Sequence, residues 1–173
     1  MDEEITIIDS NTRNEKILNF LINNKKNLII GFSIILVTVI GYLSMKEMKQ
    51  QHKIKLANQF NITTINFNIE EKQTTINQLI KLINENDSTY SPLALYFLID
   101  NSLLNNNDEI NSLFDELINE VNLDKEIKNL IIYKKALFNS DFSTENDLLQ
   151  ILNPIINSES IWKSHSLYLL AEY

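Results

Sequence analysis

The sequence predicts an all-α chain in which one transmembrane helix leads into stacked antiparallel helix pairs. Three observations carry that expectation. Residues 28–45 read LIIGFSIILVTVIGYLSM, an uncharged run fenced by Lys25 and Lys26 before it and by Lys46 and Lys49 after it. Beyond Gly41 there is no glycine, and the two prolines are Pro92 and Pro154, so little in the chain would break a helix. Apolar residues then recur at the i, i+3, i+4, i+7 spacing of amphipathic helices, and the stripe itself repeats.

The run at 28–45 is long enough to cross a bilayer. Its 18 residues, at about 1.5 Å each, reach roughly 27 Å against a hydrocarbon core of ~30 Å, so a helix assigned to 27–45 spans with lysine at both ends. A cleaved signal peptide would have a short basic leader, an apolar core of about 7–15 residues and a small-residue cleavage site. Here 27 residues precede the core, five of them acidic, and Lys46, Glu47, Met48 and Lys49 follow it, so a retained span is expected. The absence of cysteine argues against a lipoprotein anchor. A core helix of a soluble domain rarely lacks a polar face altogether. Gly31, Ser33, Thr38 and Gly41 are small enough for a second helix to approach.

Flanking charge does not orient the span. Arg13, Lys16, Lys25 and Lys26 on one side balance Lys46, Lys49, Lys53 and Lys55 on the other. A short tail at 1–26, a first span and a long following domain instead point to a cytoplasmic N-terminus.

Charge also divides the chain. Residues 1–55 hold eight basic and six acidic side chains, whereas 56–173 hold seven basic and seventeen acidic ones. No nucleic acid is expected as a partner of so acidic a domain, because phosphate binding needs clustered cations. Lys46, Lys49, Lys53 and Lys55 suit either anionic lipid headgroups or a solvated helix start outside the membrane.

In the remaining domain, 46–173, the stripe Ile76, Leu79, Ile80, Ile83 returns at Ile110, Leu113, Phe114, Leu117, each 34 residues later. It returns again at Leu148, Ile151, Leu152, Ile155, now 38 residues on, with residues 142–145 expected to absorb the extra four. Further helices are expected at 46–60, 93–104 and 127–138, completing antiparallel pairs that share one elongated core. Asp124 and Thr144 are expected N-caps, Ser91 with Pro92 a cap and first turn, and Asn105, Asn106 and Asn107 a turn. Residues 160–173 begin another pair without a second helix. There Trp162, Leu167 and Leu170 are available for packing, expected either as a cap on the stack, or as a partner site, or as the start of a pair that an incomplete chain cuts short.

No residue suggests catalysis, cofactor binding, metal binding or a small-molecule substrate, and the chain is not expected to be an enzyme. His52 and His165 have no second histidine at ligand spacing and no cysteine. Glu70 with Glu71, and Asp115 with Glu116, lie beside helical stripes, where carboxylates face water. Glycine at 31 and 41 alone permits no phosphate loop. Tyr90, Tyr96 and Tyr133 suit half-buried packing or a peptide groove.

The 34-residue helix pair resembles the tetratricopeptide repeat. Placing Phe114 at the repeat's large aromatic position puts Ala94 at the tryptophan, Phe97 at the leucine, Asn105 at the glycine, and Ile110 and Leu117 at the alanines of the second helix. The missing small residues imply wider helix spacing. The tail segment EKILNFLINNKK at 15–26, the span, the continuing helix at 46–60 and the repeats together resemble a bacterial inner-membrane family. That family is the ancillary subunit of the Sec translocon, a single-pass protein with a tetratricopeptide-like periplasmic domain. The resemblance implies a protein-binding scaffold whose partners are translocon subunits and periplasmic chaperones. A related repeat domain implies the alternative, a coordinator of cell-division or envelope assembly.

Overall fold

The computed structural model describes the backbone of residues 2–172 and the side chains of residues 13–172. Eight α-helices and one 3-10 turn order the described chain, and no strand is present among those residues. They are α1 (Asp2–Asn23), α2 (Lys25–Ile65), the turn Ile69–Glu71, α3 (Lys72–Ile83), α4 (Tyr90–Asp100), α5 (Asn107–Glu120), α6 (Lys125–Asn139), α7 (Glu145–Ile156) and α8 (Lys163–Glu172). The chain divides into two compact units, Met1–His52 and Lys53–Tyr173.

In the first unit, α2 starts at Lys25 and runs without interruption through the apolar segment. Every side chain from 25 to 55 is exposed. Residues 28–45 are therefore not a core helix of this chain; the helix is long and apolar enough to cross a membrane. The lysines at 46, 49, 53 and 55 lie inside one 41-residue helix, so they do not mark a helix start.

In the second unit each helix packs on its neighbours in sequence, from α3 to α8. Leu56 at the end of α2 enters a core with Leu79, Ile83, Leu95, Leu98, Phe114 and Leu117. A second cluster joins Ile132 and Ala136 of α6 to Leu148, Leu152 and Ile155 of α7 and Leu169 of α8. Of the three stripes, Ile80 and Ile151 are half-buried and all the other residues are buried. An apolar arc at 3.6-residue spacing seats each of these helices on the next.

The boundaries differ from expectation in four places. First, α4 stops at Asp100, not 104. Ser102 takes a left-handed φ of 50°, Leu103 N donates to Leu98 O at 2.9 Å, and Ser102 N donates to Ile99 O at 2.9 Å. This paired C-terminal motif turns Leu103 back into the core. Second, the turn expected at Asn105, Asn106 and Asn107 ends one residue early, because α5 begins at Asn107; Asn106, at φ −99°, caps it, accepting from Asp108 N at 2.9 Å and Glu109 N at 3.4 Å. Among the described residues the left-handed asparagine is Asn86, at φ 53°.

Third, Ser91 is inside α4 and not its cap. Its hydroxyl donates to Leu82 O at 2.9 Å and accepts from Asp87 N at 2.9 Å, while Asp87 Oδ1 accepts from Thr89 N and Tyr90 N. Pro92 sits in that first turn, where a missing N–H costs no helical bond. Fourth, the extra residues of the last repeat lie in a helix and not at 142–145: α6 has 15 residues where α4 has 11.

Asp124 occupies the cap position of α6 but makes no side-chain cap bond. Thr144 forms a reciprocal box, its hydroxyl accepting from Asp147 N at 3.3 Å while Asp147 Oδ2 accepts from Thr144 N at 3.0 Å. The Thr144 hydroxyl and backbone N–H together hold the Asp147 carboxyl below the usual carboxylate range. Removing a two-bond cap has a definite cost, and Asn106→Ala is expected to destabilise the second unit by about 1 kcal/mol, read from the urea midpoint.

Candidate interaction surfaces

Within the second unit, the residues singled out for chemistry do not converge. His165 stands edge-on to Tyr133, with ring centroids 6.1 Å apart, and 5.6 Å from Trp162, so it belongs to an aromatic cluster. His52 lies on exposed α2 in the other unit. Asp115 pairs with Lys135 at 2.7 Å on the surface between α5 and α6. Glu70 and Glu71 form the short turn before α3. Among the described residues, no group of acidic residues and histidines is arranged to hold a metal ion.

The second unit includes these two concavities among its described residues. One, of about 300 Å³, is lined by Gln59, Ile62 and Thr63 of α2 and by Gln78, Lys81 and Leu82 of α3. Thr63 donates to Gln78 Oε1 there at 3.0 Å, which ties the two helices together. The other is a shallow groove of about 470 Å³ lined by Leu93, Tyr96, Asn122, Asp124, Ile127 and Leu130, between α4 and α6.

The three tyrosines separate into different roles. Tyr90 packs against Phe60 at 6.1 Å, and Tyr133 stacks on Trp162 at 5.8 Å with planes 21° apart. Tyr96 borders the groove with the Lys134 ammonium 4.2 Å above its ring centre. Its hydroxyl is buried and has no hydrogen-bond partner. Burial pushes that hydroxyl up to about 12.

The pH consequence follows from linkage. A free tyrosine ionises near pH 10, so between about 10 and 12 the unfolded chain has lost a proton that the folded chain keeps. Stability is undiminished by this group below pH 10 and falls as pH rises through that window. Tyr96→Phe is expected to remove a tyrosinate absorbance step near 12 and to leave stability at neutral pH unchanged or slightly higher, because an unsatisfied hydroxyl is deleted. Ultraviolet titration and thermal melting read the two effects.

The last helix is docked by contacts that no stripe announced. Glu126 of α6 accepts from the Ser160 hydroxyl at 2.8 Å and from Ile161 N at 3.2 Å. Its backbone carbonyl accepts from Trp162 Nε1 at 3.1 Å. Ser166 and Leu169 are buried, and Trp162 and Leu170 pack against the second cluster. Leu167, expected to pack, is exposed beside Tyr168. One face of α8 thus closes on the stack and another stays open.

A second unannounced device is a side-chain amide pair. Asn111 Nδ2 donates to Asn139 Oδ1 at 2.9 Å, and Asn139 Nδ2 donates back to Asn111 Oδ1 at 2.7 Å, locking α5 to α6. Gly31 and Gly41, small enough for helix approach, meet nothing within 4 Å of where a Cβ would stand.

Comparison with protein-family models, with curated proteins and with solved structures finds no match to this chain.

Proposed function

We propose that this protein is a membrane-anchored scaffold for protein–protein interaction, with α2 as its anchor and the helices from 53 onward as its binding domain. The observation that carries this reading is the fully exposed apolar run at 28–45, inside the same helix that delivers Leu56 to the core of the second unit. Water does not tolerate that run, whereas a bilayer does. The helix pairs from α4 to α7 follow one another as tetratricopeptide-like units would, and an acidic surface with a shallow apolar groove suits a protein partner.

In its sharper form the proposal is an accessory factor of the Sec translocon in a bacterial inner membrane, with the tail in the cytoplasm and the helical domain in the periplasm, near chaperones and emerging substrates. That form rests on the resemblance of tail, span and repeats. Extraction in mild detergent followed by affinity purification tests it. Translocon or chaperone subunits are expected to co-purify, and a stable complex lacking both would contradict it.

A further inference from the structure

The second half of α1 carries an apolar edge that nothing in its unit covers. Ile17, Leu18, Phe20, Leu21 and Ile22 are 47–64 % exposed. At 3.6 residues per turn they share one arc of about 200°, while Glu15, Lys16, Asn19 and Asn23 occupy the opposite one; one turn earlier, Arg13 and Asn14 interrupt the apolar arc, so the two-faced segment is 15–23. This is the pattern of a helix lying at an apolar boundary.

Position in the chain identifies the boundary. The helix breaks at Asn24, where the Phe20 carbonyl accepts both from Asn24 N and from the Asn24 side-chain amide, each at 3.0 Å. α1 ends at Asn23 and α2 begins at Lys25, so the two helices meet at this single residue. The apolar run starts only four residues later, at Leu28. A straight continuation would hold residues 17–22 about 9–16 Å from the hydrocarbon edge, beyond a headgroup layer of about 5–8 Å. Bending at Asn24 instead lowers the arc to the acyl boundary and brings Lys16, Lys25 and Lys26 among the headgroups.

We propose that residues 15–23 of α1 form an in-plane helix that docks on anionic lipid, with Phe20 and its neighbours in the acyl boundary and Lys16, Lys25 and Lys26 on the headgroups. The proposal rests on the reading of 28–45 as a span. It makes the tail a lipid-binding element in its own right, independent of which way the span is oriented.

The chain has no cysteine, so single-cysteine variants at Leu21 and at Asn19 can carry an environment-sensitive fluorophore in the full-length protein. The protein is placed in nanodiscs of phosphatidylcholine, with or without phosphatidylglycerol. Quenching by doxyl-labelled lipid is expected to be at least about threefold stronger at Leu21 than at Asn19, and stronger again with phosphatidylglycerol. Adding Phe20→Glu should bring the Leu21 label down to the Asn19 level. Equal access of both labels to aqueous iodide in protein that has entered the discs would overturn the docking while leaving the span intact. Quenching that tracks the number of chains per disc would also overturn it, assigning the face to a second copy. Failure to enter the discs at all would overturn the span and the docking together.

Discussion

Replacing Phe114 with alanine is expected to destabilise the second unit by about 3–5 kcal/mol, the range for removing a large aromatic from a packed core. Phe114 is only 1 % exposed, and its ring lies 6.1 Å from Phe138, which in turn meets Phe142 edge-on at 5.3 Å. The residue therefore joins α5 to α6 and, through Phe138, to the connection before α7. Small domains are stable by roughly 5–15 kcal/mol, so the loss takes a large part of the total. A urea midpoint should fall by about 1–5 M for slopes of about 1–3 kcal/mol/M. Phe142→Ala supplies the contrast: that side chain is 47 % exposed, and its loss should cost under about 1 kcal/mol.

Placing aspartate at both Ile35 and Val37 is expected to prevent stable insertion of α2. These residues lie mid-run, where each charged side chain costs about 2.5–3.5 kcal/mol on insertion scales, and the two together roughly 5–7 kcal/mol. The chain should then leave the membrane fraction on alkaline extraction. Ile65→Asp is the control. Its side chain is 80 % exposed at the far end of the same helix, outside the apolar run, so the protein should stay in the membrane fraction.

Much of the helical order was legible because it depends on local periodicity. The stripes at 76–83, 110–117 and 148–155 face the cores, and the breaker-poor sequence from Lys25 to Ile65 is one helix. What escaped depends on partners distant in sequence or on backbone detail. Ser102 is an unusual left-handed residue, adopted because Leu103 gains a buried place against the core. The lengthening of α6 leaves no mark on its apolar pattern. Glu126 and the Asn111–Asn139 pair are polar residues whose partners lie about one repeat away, so composition reads them as surface. The apolar edge of α1 was hidden by counting 1–26 as a tail.

The central claim is that α2 crosses a membrane and separates the tail from the helical domain. Because the chain lacks cysteine, one engineered thiol at Asn14 and another at Asn105, both exposed, can be read separately with a membrane-impermeant maleimide. In cells whose outer membrane is permeabilised, the account predicts labelling at Asn105 in intact cells and at Asn14 only after the inner membrane is lysed. Labelling of both positions without lysis, or of neither, would put tail and domain on one side of the membrane and contradict the span.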